Sequence, residues 1–419
     1  MTFGFLINTC EPFYRGGYER RAWAFACELV RQGHEVRIYT SCPKDETIDG
    51  VRFIRLGPKW SFFNRRGVRN GWADAVFALG ILQLLWKVRA KELAVLDVCA
   101  TPFFHLPIVA LISRLKKIPV VLTCHEALLG SFADYVRERG HEKPLPSQIL
   151  IRVLTEVYRY GMGLFPRRLS VSKRTAKALE AEGFPAKGVV EFGLEPEAFN
   201  PQAPEARPGS EPARFVFCGR LMALKNVELA VTVFLRFRWE GKSFHFDVIG
   251  DGSEKFRLEK MVEAAGAKQG GGSITFHGEV SEERKRNLLA ASEIFVLSSA
   301  REGFSIATLE AMAQGCGAVV IDNPRLPNGA LDIVHPDEEG LCVGPGSEPI
   351  REALEKLMQD PALRIKLRRG AWNSSRNYKI DEQTRLLLAF YQDSKTVNVP
   401  ATAAPVSKIG EPISAPSAK

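Results

Sequence analysis

No two of the eight cysteines form a Cys-x-x-Cys pair. That argues against a structural zinc site and against a thioredoxin-type motif. Cys124 and Cys218 lie in apolar stretches, which fits buried free thiols in a reducing compartment. Long apolar runs are missing too. The longest one low in charge, Ala75 to Trp86, falls short of the roughly 20 residues that a bilayer span requires. The start of the chain has no basic leader and runs from Met1 to Cys10 straight into Glu11 and Pro12, so no signal peptide is expected. There is no Asp-x-Asp pair to hold a divalent ion, and no known nucleic-acid-binding module.

Negative charge is scarce in the first half. Residues 1–200 hold 29 Lys+Arg against 20 Asp+Glu, whereas residues 201–419 hold 28 of each, so the whole net charge of +9 belongs to the first half. Nine of those cations, against three acids, fall in residues 51–100. Within that stretch Lys59–Trp72 mixes Trp60, Phe62, Phe63 and Trp72 with Arg65, Arg66 and Arg69. Aromatic rings settle at a headgroup interface and arginines pair with anionic lipid, so this stretch is expected to meet an anionic membrane surface. Ordinary surface solvation is the other reading.

What the sequence does contain centres on Ala300–Gly317. Ile294–Leu297 before it and Ala318–Ile321 after it are short apolar runs of strand type, and Ile306–Gln314 is rich in helix formers. Ser305 is placed to cap that helix, and Gly315 to end it in a left-handed turn. A loop between strand and helix lies at the carboxyl end of a parallel sheet, where ligands bind. The amides of Phe304, Ser305 and Ile306 would then face a phosphate. Glu302 and Glu310 bracket the helix start, and carboxylates suit sugar or ribose hydroxyls. The spacing alone equally allows a charge cap and a solvated face.

The run from Glu302 through Gly303-Phe304 to Leu309-Glu310-Ala311-Met312-Ala313-Gln314-Gly315 resembles the signature of retaining GT-B glycosyltransferases of the family 4, or group 1, type. The resemblance implies an α/β fold of two Rossmann-like domains facing a cleft. It also implies that Glu302 faces the donor sugar as the catalytic carboxylate and that Glu310 binds the ribose. One departure is Gly317, where the family has Pro.

Further matches follow along the chain. Gly16-Gly17 sits in the loop between a first strand, Phe3–Thr9, and a helix, Tyr18–Gln32. Glycine pairs let amides approach a phosphate, although most are plain turns; the family uses this pair on the donor diphosphate or the acceptor. His125 ends the strand Pro119–Thr123. A lone His is more often structural, but the family has a catalytic His here, aimed at the donor sugar. Gly219-Arg220-Leu221 and Lys225 follow the strand Arg214–Cys218. A guanidinium fork beside an ammonium suits two phosphates, and the family uses both on the donor diphosphate. Gly250-Asp251-Gly252 and the segment through Val280 match donor-binding positions as well. Lys268–Gly272 is a surface turn, since no helix follows it.

The expected organisation is an acceptor-binding domain over 1–200, a Pro-rich linker over 201–213, and a nucleotide-sugar domain over 214–379. A helix over 380–394 returns to the first domain, and a patternless tail covers 395–419. The implied enzyme is a hexosyltransferase without cofactor or metal. It takes a nucleotide diphosphate sugar, serves a lipid-linked or glycoconjugate acceptor, binds no nucleic acid, and works in the cytoplasm at the inner membrane face. A GT-B epimerase, a phosphorylase and a nucleotide-sugar-binding protein without turnover remain alternatives.

Overall fold

The computed structural model describes residues 1–57, 73–129, 144–206, 211–266 and 271–393. The stretch Lys59–Trp72, most of the Lys268–Gly272 turn and the tail beyond 394 lie outside the described residues. The first sheet contains β1 (Thr2–Leu6), β2 (Glu35–Thr40), β3 (Glu46–Ile48), β4 (Val51–Arg55), β5 (Val95–Cys99), β6 (Val120–Cys124), β7 (Arg168–Ser170) and β8 (Gly188–Val189). Its order is β3-β4-β2-β1-β5-β6-β7-β8, parallel except for β3 against β4. The second sheet, β11-β10-β9-β12-β13-β14, is built from β9 (Ala213–Cys218), β10 (Phe244–Ile249), β11 (Gly272–Gly278), β12 (Ile294–Leu297), β13 (Gly317–Ile321) and β14 (Gly340–Val343), all parallel. These are the two Rossmann-like domains of the GT-B fold.

The period-2 alternation of each strand explains how both faces are covered. Phe3 and Phe5 turn to the side of the helix Gly17–Arg31 and meet its Phe25 and Leu29. Leu6 turns the other way and joins Phe77, Leu106 and Tyr158. In the second sheet Val216 shares a core with Leu309 and Met312, while Phe215 and Phe217 pack with Phe234 behind it. The apolar periodicity of Asp74–Ala90 reads as one helix, but the stretch folds as three pieces: Ala73–Gly80, a 3-10 turn Ile81–Gln83, and Leu84–Lys87. The break falls at Gly80, where a Cβ would come within 2.7 Å of the Gly57 backbone.

Strand order fixes the cleft. In the first sheet the winding reverses between β1 and β5, and in the second between β9 and β12. The loops at these carboxyl ends are the ligand-binding ends of open α/β sheets. They are Ile7–Gly16 after β1, Gly219–Lys225 after β9, and Ser298–Ser305 after β12. The last helix, Ile380–Asp393, lies on the helix Gly17–Arg31, and its Tyr391 hydroxyl donates to Asp97 of β5 at 2.5 Å. The chain before β9 is tied to the helix Pro361–Ser375: Trp372 Nε1 donates to the Asn200 carbonyl at 3.0 Å, and Arg368 donates to the Glu205 carbonyl at 2.9 Å.

Candidate active site

Ser298–Ser305 enters the helix Ile306–Ala313 through a left-handed Ser305, with φ 71°. Ser305 occupies the cap position, yet its side chain does not cap. Its Oγ bonds the Thr308 Oγ1 at 2.8 Å, because the left-handed turn swings it away from the backbone amides. The amides of Phe304, Ser305 and Ile306 therefore donate to no acceptor among the described residues, and they sit at the positive end of the helix. Gly315 ends the helix with φ 87°.

Glu302 is held differently from the expectation. Lys225 places its Nζ 2.7 and 2.8 Å from the two oxygens of Glu302. The ammonium thus bridges the carboxylate, while one of its three N–H groups stays available to an anion. Arg220, exposed at the end of β9, reaches across the cleft and donates to the Arg15 carbonyl at 2.8 Å. Gly250 and Gly252 have a packing reason of their own. Their φ values are 134° and 157°, and a Cβ would lie 1.9 Å from the Gly219 oxygen or 2.2 Å from the Leu221 oxygen. They let the loops after β9 and β10 lie against one another. Val280, half-buried, packs on the core beside the helix Glu282–Ala291.

Glu310 is the centre of an ion cluster that crosses the cleft. Arg20 from the first domain approaches its Oε1 at 2.7 Å, and Lys285 approaches the same oxygen at 3.1 Å. Glu282 completes the cluster, 3.2 Å from Arg20 and 2.8 Å from Lys285. Burial works to lower the pKa of Arg20 and of Lys285, but the carboxylates of Glu310 and Glu282 outweigh it and raise both. Both contacts run to one carboxylate oxygen of Glu310.

On the first-domain side Gly16 precedes the helix Gly17–Arg31 in an extended conformation. Glu19 folds over it and accepts from the Thr9 hydroxyl at 2.6 Å. Tyr18 stacks on His125, with ring centroids 4.3 Å apart, and its hydroxyl donates to Glu126. His125 is buried, and burial together with the Arg21 cation pulls its pKa well below the ordinary value. The imidazole is therefore neutral at physiological pH. His125 lines a small pocket together with Arg21, Asp97, Cys99 and Thr123.

Gly303 joins the halves. A Cβ there would stand 2.1 Å from the His125 carbonyl oxygen, and its own carbonyl accepts from Thr175 Oγ1 of the first domain at 3.0 Å. Arg301 adds a bond to Glu126 at 2.5 Å. The loop that carries Glu302 thus meets the His125 backbone through its neighbour Gly303. Sequence reasoning had not singled out Arg20, Arg301, Lys285 or Glu126. Arg20 stands one helical turn after Gly16, which is the signal that could have found it. Among the described residues, the one group spaced to hold a metal is His335, Glu338 and Glu339. It lies at the amino ends of β13 and β14, away from the cleft.

A family model described as glycosyl transferase 4-like domain matches residues 16–194. Another, glycosyl transferases group 1, matches residues 200–373. A phosphatidylinositol N-acetylglucosaminyltransferase chain of Arabidopsis thaliana is 25% identical over 360 residues, covering 82% of this chain and 71% of that protein. The alpha-D-kanosaminyltransferase of Streptomyces kanamyceticus is 23% identical over 369 residues, covering 82% and 91%. In structure, a sucrose-phosphate synthase from Thermosynechococcus elongatus superposes with a TM-score of 0.72 at 17% identity, over 94% of this chain and 98% of that one.

Proposed function

Because the chain is a glycosyltransferase of the GT-B fold, we propose that it moves a hexosyl group, with retention, from a nucleotide diphosphate sugar to a membrane-borne acceptor. The observation that carries this reading is the meeting at Gly303. It sets Glu302, Lys225 and the open amides of Phe304–Ile306 against the neutral His125.

The chemical problem is the charge that develops on the departing diphosphate. Fixed donors aimed at that charge stabilise it at no reorganisation cost. Arg220, the spare N–H of Lys225 and the helix amides are such donors. Glu302, anchored by Lys225, accepts from the hydroxyls of the donor sugar. Glu310 offers the ribose its second carboxylate oxygen while Arg20 and Lys285 hold the first. His125, neutral and fixed by Tyr18, donates to the transferred sugar without bringing a charge to it. The departing phosphate oxygen takes the acceptor proton on the face from which it leaves, which accounts for retention without an enzyme nucleophile. No step requires a metal.

A membrane-borne acceptor, with the enzyme working from the cytoplasmic face, agrees with the one-sided charge of the first half. The Arabidopsis relative carries a phospholipid in its name. A screen of UDP, GDP and ADP sugars by thermal shift identifies the donor, since a ligand at 100 times its Kd stabilises by about 2.7 kcal/mol. Slow hydrolysis of that donor without acceptor, persisting in EDTA, is then expected. Binding without hydrolysis or transfer would leave a nucleotide-sugar-binding protein, and an absolute need for magnesium or manganese would overturn the metal-free donor site.

A further inference from the structure

The helices over one face of the first sheet form a layer: Ala73–Gly80 with its continuation to Lys87, Leu106–Lys116, and Pro144–Gly163. The middle one touches both of the others. Their inner sides fill the core through residues such as Phe77, Val109 and Tyr158. A helix at a protein surface ordinarily turns polar residues outward. These do not.

Leu79, Leu82 and Trp86 recur at helical spacing on the outer side of the first piece, and Trp86 is 70% exposed. Leu111 and Leu115, one turn apart, stand outward on the second, and Ile149 and Val153 on the third. Leu79, Leu115 and Ile149 are each 65% exposed. On the third helix Ile149 and Val153 lie opposite the buried Leu154 and Tyr158, so it is apolar on two sides. Nine of the fourteen large exposed apolar residues among the described residues belong to this layer. They form a patch rather than a scatter, and a patch of this kind marks an interaction surface.

Charge identifies the occupant. Among the described side chains, the exposed charged residues on these helices and their ends are Arg89, Lys91, Arg114, Lys117, Arg152 and Arg159, with Glu156 as the one acid. Arg114 adjoins Leu115, and Arg152 adjoins Val153. A second copy of this chain would bring cations against cations, which is unfavourable. A bilayer bearing anionic headgroups satisfies both features: acyl chains take the apolar side chains and phosphates take the cations. The basic and aromatic stretch Lys59–Trp72 leads in sequence into the first helix of the layer. Among the described residues no helix is long and apolar enough to cross a membrane, so contact would be from one side.

We propose that the outer side of this helical layer docks on an anionic lipid bilayer. The proposal rests on the reading above for its membrane-borne acceptor, and it draws on residues outside the donor site. Its test is co-sedimentation of the full chain with vesicles of phosphatidylcholine, alone or mixed with phosphatidylglycerol, at low and high salt. The wild type should pellet with the mixed vesicles and be released by salt. A variant carrying Leu82→Ser, Trp86→Ser, Leu111→Ser and Leu115→Ser should bind at least about tenfold more weakly. An Arg89→Glu, Arg114→Glu, Arg152→Glu variant should lose its preference for phosphatidylglycerol. Donor hydrolysis without vesicles should be unchanged in both, which separates this proposal from the donor-site reading. Failure of the wild type to bind mixed vesicles, equal binding by the serine variant, or self-association of the wild type that the serine variant abolishes would each overturn it.

Discussion

Substituting Gly303 by Ala adds one methyl group at the contact between the domains. The added Cβ would lie 2.1 Å from the His125 carbonyl oxygen. A tolerable carbon–oxygen contact is about 3.3 Å, so something must yield by about 1.2 Å. Gly303 does not have a positive φ, so the constraint is space rather than backbone conformation. Relieving that overlap by shifts within the loops typically costs about 1–3 kcal/mol. Opening the cleft instead gives up the Thr175 bond to the Gly303 carbonyl, about 1 kcal/mol net. It also weakens exposed pairs such as Arg15–Glu279, each between about 0 and 1 kcal/mol. A shift near 1 Å stretches these contacts, and the Arg20–Glu310 and Arg301–Glu126 pairs with them, without breaking either core, so the domains should move apart slightly while each core survives. A displacement near 1 Å between Glu302 and His125 is expected to lower turnover about a hundredfold. The measurement is kcat for transfer, together with a thermal melt. The melting point should fall by less than about 4 °C. Near-normal turnover would refute the idea that the reaction needs this contact. A fall of more than about 10 °C would mean that Gly303 packs its own domain rather than the cleft.

Arg220→Ala and Lys225→Ala should each lower turnover about a hundredfold, or roughly 3 kcal/mol, and unchanged donor hydrolysis would remove them from the diphosphate. Glu310→Gln should mainly raise the donor KM, whereas Glu302→Gln should mainly lower kcat; the opposite pattern would exchange their roles. His105 concerns stability. Burial holds its pKa down at about 4, and its Nε2–H donates to the Cys99 carbonyl at 3.1 Å. The unfolded chain takes up this proton below about pH 6.5 and the folded one does not. The associated stability is thus complete above pH 6.5 and lost as pH falls toward 4, by about 3 kcal/mol. Melts of His105→Gln should show a shallower acid slope than wild type, and an equal slope would assign the loss to other groups.

The winding of the two sheets was legible because short apolar runs alternate with helical periods, and Gly33 and Gly315 end helices where they stand in left-handed turns. The placement of Glu302, Ser305 and Glu310 was legible for another reason: they lie within one strand-loop-helix unit, so local spacing encodes where they stand. What local spacing cannot encode is a partner from the other domain. Arg20 meets Glu310 from far away in the chain, and nothing near either residue announces the other. Lys225 shows the same limit, since its neighbours point to an anion while the fold supplies Glu302. The outward apolar faces were hidden because an exposed Leu115 and a buried Ile112 look alike in a string of letters.

The returning helix bears on how the chain is made. Phe390 covers Gly188 so closely that a Cβ there would be 2.7 Å from its ring, and Tyr391 supplies a bond to the buried Asp97. The first domain therefore cannot close its own core from its own residues. At a synthesis rate of about 5–20 residues per second, the roughly 190 residues between Phe199 and Tyr391 take about 10–40 s to emerge. During that interval the second domain can complete its sheet while the first waits on the ribosome with one side of β5 and β8 uncovered. The domain that is made first is the one that finishes last.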